Sequence, residues 1–429
     1  METYQFNNLK ITLDKQGSRE FTKVSYPIRY GHLSEIKTPD YVFQFNLNGE
    51  IKYIQGRSRS WPHPVEWLKR TMSNDWVYYS SGGYTGVYDY FGEYYIPCLS
   101  YPSNSIIGGN PFEEAAVRSA IESFHELLAE IKALISSSIP RNLKNFLILV
   151  SKNDENVLRL KALKLHDLIG GKLSVLPPDT RHVDYEVIPV IVADGCLYNC
   201  GFCRVKSGSN FTSRTKKEII TQIKNLKNFL AQDLKNYNAV FLGQHDALYA
   251  GRELLEFAAE SAYEILELER SYLRGSWLFL FGSAESIINS EEALFESLNS
   301  LPFYTYINIG LESADPITLS VLKKPITVEM IDEAFSRMLE INRRYEKIEV
   351  TANFIFGSDL PESHLSSFFE LNGSRLDHFY SKGAIYFSPL INGIAKDGRS
   401  NSTRGILRKF SEVKILSHIP TFIYLIQRL

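Results

Sequence analysis

Three of the chain's four cysteines fall in one short segment, Ala193-Asp-Gly-Cys196-Leu-Tyr-Asn-Cys200-Gly-Phe-Cys203. Gaps of three and then two residues let a single loop wrap three thiolates around one corner of an iron–sulfur cube. Cysteine thiolates are the usual ligands of such clusters. A cube with three protein ligands leaves one iron open to a small molecule, as an open coordination position does on catalytic zinc. Cys98 stands alone far upstream and reads as a small buried hydrophobe. The alternative is a structural zinc site, with His182 or His245 as the fourth ligand, but the sequence has no second cysteine knuckle.

The elements that must position this loop are legible around it. The apolar run Val187–Val192 reads as a strand ending just before the cysteines. Further strand-like runs occur at Ala239–Leu242, Trp277–Phe281, Tyr304–Ile309, Val350–Phe356 and Ala384–Phe387, with helical patterns between most of them. Thr215 and Glu218 have capping-box spacing at the start of one such helix. Strands alternating with helices predict parallel βαβ units, hence an α/β fold. The expected form is a sheet or barrel with helices outside, and six strands fall short of the eight of a complete TIM barrel. Small molecules bind at the C-terminal ends of such strands, where the cysteines lie.

Upstream, residues 1 to about 105 carry short strand-like runs, including Tyr41–Leu47 and Asp75–Tyr79, split by turn formers. Asn110 and Pro111 then begin an amphipathic helix to about residue 136. These features divide the chain into an N-terminal α+β region over 1–180, a barrel core over 181–392 and a C-terminal packing extension over 393–429. The first region is a candidate for substrate or partner recognition.

Composition narrows the class. The chain has 429 residues, 44% hydrophobic and 22% charged, enough apolar material for a large core. A net charge of -2 gives no strong nucleic-acid signal. The short basic run Arg214, Lys216 and Lys217 reads as a solvated helix start. No apolar stretch approaches the ~20 residues of a membrane span, and the N-terminus lacks a secretory pattern. Few cysteines, three of them clustered, suit a reducing compartment, so a cytoplasmic location is expected.

Several further segments occur in a telling order. Cys196-x-x-x-Cys200-x-Phe202-Cys203 is followed by Val240-Phe-Leu-Gly-Gln-His-Asp-Ala-Leu248. Then come Ile307-Asn-Ile-Gly-Leu-Glu-Ser-Ala-Asp-Pro316, Val321-Leu-Lys-Lys-Pro-Ile-Thr327 and Asn353-Phe-Ile-Phe-Gly-Ser-Asp-Leu-Pro361. Over about residues 185 to 390 this set resembles the radical S-adenosylmethionine (radical SAM) superfamily, in the branch of coproporphyrinogen-type and elongator-type members. The resemblance implies a partial (β/α)6, TIM-like barrel and a [4Fe-4S] cluster on Cys196, Cys200 and Cys203. It also implies S-adenosylmethionine chelated to the open iron and cleaved reductively to a 5′-deoxyadenosyl radical. It further implies an electron donor such as flavodoxin or ferredoxin and an unidentified substrate.

On that resemblance, Phe202 supplies apolar contact to the cofactor. Gly243, Gln244 and Asp246 end the second strand and hold the methionine ammonium, although Gln244 and His245 stand where the family often has glycine. Ser283 ends the third strand, Glu312 and Ser313 the fourth, and Asn353 lies in the fifth; each is a candidate cofactor contact. Ser313 or Asp315 could equally cap the helix that begins at Pro316. Lys323 and Lys324 read as a solvated helix end. No cobalamin-binding Asp-x-His-x-x-Gly segment and no second cysteine cluster occur. The alternative function is a non-catalytic iron–sulfur protein or a zinc-binding scaffold, including a nucleic-acid-binding module.

Overall fold

Alternation of apolar and polar side chains shapes the first part of the chain in the computed structural model. The structure describes residues 1–22, 29–80, 95–97, 110–173, 175–198, 200–203, 210–357, 360–373, 382–390, 400–425 and 429. Cys98 lies outside the described residues.

Eight strands, β1 (Glu2–Phe6), β2 (Leu9–Gln16), β3 (His32–Lys37), β4 (Tyr41–Phe45), β5 (Ile51–Gly56), β6 (Trp67–Arg70), β7 (Trp76–Tyr79) and β8 (Tyr95–Pro97), pair in sequence order as an antiparallel meander. Period-two patterning gives the outer strands a face to bury, as with Leu9 and Ile11 flanking exposed Lys10 on β2, whereas β6 is buried at every position. Helix α1 (Ala115–Ile135) covers that sheet with Val117, Phe124, Leu128 and Ile131. Phe124 meets Phe45 at a ring separation of 6.3 Å. The expected Asn110 cap is present and accepts from the Phe112 N–H, but Pro111–Glu113 is a separate 3-10 turn. Glu114 is extended, which delays the α-helix to Ala115.

Two helices that the sequence reading did not resolve follow, α2 (Arg141–Ser151) and α3 (Glu155–Ile169). Their buried residues do repeat at helical spacing: Leu143, Leu147 and Val150, then Leu158, Ala162, Leu165 and Ile169.

The second half alternates as expected. The elements are β9 (Ile188–Ile191), the short pair β10 (Ala193–Asp194) and β11 (Thr212–Ser213), α4 (Lys216–Leu230), β12 (Ala239–Gly243), α5 (Arg252–Ile265), β13 (Trp277–Ser283), α6 (Ala284–Asn289) and α7 (Glu292–Ser300). They continue with β14 (Tyr304–Glu312), α8 (Pro316–Val321), α9 (Val328–Arg344), β15 (Ile348–Phe356), α10 (Ser363–Gly373), β16 (Ile385–Pro389), α11 (Ser400–Leu416) and β17 (Thr421–Ile423). All six expected strands are present in one parallel sheet, in the order β17-β16-β15-β14-β13-β12-β9. The sheet has a seventh strand: β17, in the stretch read as a packing element, adds in parallel to β16. Three residues after Pro420 are too few for alternation to reveal a strand. Among the described residues, no helix is long and apolar enough to cross a membrane.

The meander docks on the N-terminal ends of the barrel strands. Asn46 Nδ2 donates to Asp233 and Asn48 Nδ2 to the Leu230 carbonyl, both just before β12. The His32 N–H donates to Asn236, and Lys52 and Lys69 both pair with Glu186, just before β9. Burial pushes the Glu186 carboxyl up, but the two ammonium groups outweigh it and hold it at about 2. These contacts lie at the opposite end of the sheet from the cysteine loop, which follows β9 and β10.

Two acids in this framework respond the other way. Burial drives Asp233 up to about 7 despite Lys52, Asn236 and the Leu47 N–H. Burial likewise drives Asp179 to about 7, against hydrogen bonds from Thr351 and Tyr386. An acid whose folded pKa is raised binds its proton more tightly when folded. Its stabilising contribution is therefore present at low pH and is lost as pH rises toward the folded value. Stability should fall between about pH 5 and 7, each group contributing roughly 1.4 kcal/mol per pH unit at most. Asp233→Asn should flatten that slope in thermal melts across this range. An unchanged slope would show that Asp233 does not titrate there.

Candidate active site

The cysteine loop is clamped at its base. β10 and β11 pair antiparallel, and both Asp194 carboxylate oxygens accept from Arg214 at 2.7 Å. Arg214 also donates to the Ile169 carbonyl. This corrects the reading of Arg214 as part of a solvated run, since its side chain is only 16% exposed. Lys216 and Lys217 are exposed as expected, and the Thr215/Glu218 capping box forms. Gly195 takes φ +81° immediately before Cys196, a turn geometry that suits glycine.

Cys196 and Cys203 are half-buried and Cys200 is buried; all three are free thiols. Burial pushes the Cys196 thiol up and the Cys200 thiol to about 11. As ligands they must be thiolates, a form that a bound cation would supply. Among the described residues, no three His, Cys, Asp or Glu side chains converge tightly enough to hold an ion. Neither His182 nor His245 joins the thiols in such a group. His182 instead stacks on Tyr306.

The loop rests on the turn after α8. The Gly201 N–H donates to the Leu322 carbonyl at 3.0 Å, and a β-carbon at Gly201 would meet the Lys323 side chain at 3.1 Å. Lys323 is exposed as read, but Lys324 is not: its side chain is 4% exposed. Lys324 Nζ donates to the Glu312 carboxylate and the Gly310 carbonyl, both at 3.0 Å, and lies 5.6 Å from the Tyr198 ring centre. Two adjacent lysines look alike in sequence. Only the buried positions on either side, Leu322 and Ile326, hint that the second points inward.

Glu312 ends β14 with φ +68°, where the pairing with β15 shifts register. Left-handed backbone costs a side-chain-bearing residue about 1–2 kcal/mol, so a glutamate there suggests a use for its carboxylate. Ser313 is fully buried, and its hydroxyl serves the turn: it accepts from the Asp315 N–H and pairs with His364 Nδ1. Asp315 caps α8 through the Thr318 N–H. Ser283 caps α6 in a capping box with Ser286. Asn353 already has a protein partner, Asn308, which donates onward to Thr351. Asn308 was missed, although a polar residue inside Tyr306-Ile-Asn-Ile gave the same signal that marked Asn353.

Gly243 ends β12, where a β-carbon would strike Ile191 at 2.7 Å; Gln244 and Phe202 are half-buried. Asp246 is the informative one. It is 3% exposed, and neither carboxylate oxygen has a well-aligned hydrogen-bond partner. Ser283 and Ser286 stand beside it, yet burial dominates and raises it to about 6. It is near enough to Cys196 for their charges to interact. Buried polar groups normally find well-aligned partners, so a carboxylate served only weakly by Ser283 and Ser286 and lying beside the thiols fits a cationic ligand group.

Residues 190–371 match the sequence model of the radical SAM superfamily. No curated protein matches the chain. Among solved structures, the chain is similar to the cobalamin-dependent S-adenosylmethionine radical enzyme OxsB, at 13% identity and TM-score 0.35, covering 57% of this chain. It spans only about a third of OxsB, 33%. It is also similar to Streptococcus suis SuiB, at 9% identity and TM-score 0.38, over 90% of this chain and 72% of that one. A radical SAM methyltransferase from Sphaerobacter thermophilus matches at 12% identity and TM-score 0.37, over 74% and 89%. Through residues 190–371 the chain carries a radical SAM superfamily domain, the domain of enzymes that use a [4Fe-4S] cluster and S-adenosylmethionine.

Proposed function

We propose that this radical SAM enzyme cleaves S-adenosylmethionine reductively and directs the 5′-deoxyadenosyl radical at a substrate held at the mouth of the barrel. When bound, the cluster and S-adenosylmethionine supply the electron and the carbon–sulfur bond that it breaks. The residues of this chain bind, orient and exclude water. Cys196, Cys200 and Cys203 ligate the cluster. Asp246, with the backbone of Gly243 and Gln244, receives the methionine ammonium. Glu312, held by Lys324, faces the ribose or amino acid part, and Phe202 supplies an apolar wall. Ser283, Ser313 and Asn353 already hold protein partners, and we assign them to shaping the site. The reductant is a small one-electron carrier such as flavodoxin or ferredoxin. The cytoplasm, where thiols stay reduced, is the fitting compartment.

The observation that carries this reading is the buried Asp246 carboxylate, without a well-aligned partner, beside the cysteine loop at the C-terminal end of a parallel sheet. Anaerobically reconstituted protein, reduced with dithionite in the presence of S-adenosylmethionine, should release 5′-deoxyadenosine and methionine. Iron without cleavage would favour an electron-transfer protein. Stoichiometric zinc without iron uptake would favour a scaffold.

A further inference from the structure

A line of hydrogen bonds ties the end of β15 to the cysteine loop, and a single imidazole begins it. His364, in the first turn of α10, is 1% exposed. Its Nε2 lies 2.9 Å from the Ile355 carbonyl on β15, which can only accept, so Nε2 carries the proton. Nδ1 is therefore the acceptor, and the Ser313 hydroxyl donates to it at 2.7 Å. The same hydroxyl oxygen accepts from the Asp315 N–H at 3.0 Å. Asp315 in turn accepts from the Thr318 N–H and hydroxyl, fixing the start of α8. The far end of α8 presents the Leu322 carbonyl to the Gly201 N–H between two cysteines, and Lys324 to Glu312.

We propose that His364 is a positioning residue of the cofactor site. It holds the β14–α8 turn so that Glu312, Lys324 and the Gly201 segment keep their places. Burial lowers its affinity for a proton, which keeps the imidazole neutral, the form that this donor–acceptor arrangement requires. Each ring nitrogen of His364 has one specific partner, the Ile355 carbonyl at Nε2 and the Ser313 hydroxyl at Nδ1, so replacing the ring without its nitrogens frees the turn. A void-filling role would need only the ring's volume.

This inference rests on the cofactor site proposed above, and the experiment separates the two. S-adenosylmethionine affinity is measured by equilibrium binding to reconstituted enzyme, with iron content and thermal midpoint for each variant. His364→Leu removes both hydrogen bonds. His364→Gln keeps one donor and one acceptor of similar reach. Ser313→Ala cuts the same link while leaving the imidazole, and serves if the leucine variant does not fold. With iron near wild type, the leucine and Ser313→Ala variants should bind about tenfold more weakly, near the upper end of what one neutral hydrogen bond is worth. The glutamine variant should bind within about threefold of wild type, about 0.65 kcal/mol. Wild-type affinity in a destabilised leucine variant would overturn the proposal and leave His364 a packing residue. So would a glutamine variant as weak as the leucine one. Wild-type enzyme that binds no cofactor would overturn the site reading and this proposal together.

Discussion

Serine at Cys196, Cys200 or Cys203 should reduce reconstituted iron from about four per chain, one cube, to a small remainder. Cys98→Ser should leave it intact. A single loop of eight residues, 196 to 203, carries the three thiols, clamped at its base by the Arg214–Asp194 pair and propped at Gly201 by Leu322. Burial raises the Cys196 and Cys200 thiols, so neither gains thiolate character from the protein alone. Ligation must come from iron binding that displaces the protons together, and losing one ligand removes the cooperative term for the other two. Serine leaves the loop's volume nearly unchanged, so lost iron would report ligation and not unfolding. Retained iron in any of the three loop variants would remove that cysteine from the ligand set. Iron lost on changing Cys98 would show four protein ligands, leaving no open position for S-adenosylmethionine.

The barrel was readable because its strands are short apolar runs at regular intervals, and parallel strands buried on both faces give that pattern. β9 is Ile188–Ile191, every residue buried, and the alternation with helices named the fold class. β17 was unreadable for the opposite reason: three residues carry no period. At the site, what could be read was ligand chemistry on a strand end. Cys196, Cys200, Cys203 and Asp246 announce themselves by residue type and order. Partner choice is a tertiary property and left no trace in sequence. Lys324 and Lys323 are adjacent and chemically identical, but a left-handed residue at Lys323, φ +51°, turns one outward and the other under Glu312. Arg214 looked like a member of a basic run until Asp194, twenty residues earlier, closed on it. By sequence, Ser313 suits either a cap or a ligand. The structure gives its hydroxyl to the turn, by way of a histidine 51 residues away that no local pattern could supply.

Replacing Asp246 with asparagine should move stability and cofactor affinity in opposite directions. The carboxyl is 3% exposed, its oxygens lack well-aligned partners, and burial has raised it to about 6, so near neutral pH it is largely an ionised group held out of water. A neutral amide of the same shape removes that charge, so the thermal midpoint of the cofactor-free variant should hold or rise. A carboxylate paired with the methionine ammonium contributes about 1.5–3 kcal/mol, so affinity for S-adenosylmethionine should drop roughly ten- to hundredfold. Iron content should stay near wild type, because Asp246 follows a different strand from the cysteines. A purely structural aspartate gives the reverse: a lower midpoint with unchanged binding. Glu312→Gln is a less clean test of the same site. It strips the partner from Lys324, whose side chain is 4% exposed, and breaking a buried pair from one side costs about 3–5 kcal/mol. Its binding defect would arrive mixed with a stability defect. Asp246 is in no ion pair among the described residues, only beside the neutral Ser283 and Ser286, so weakened binding in a variant at least as stable as wild type isolates the contact with the cofactor.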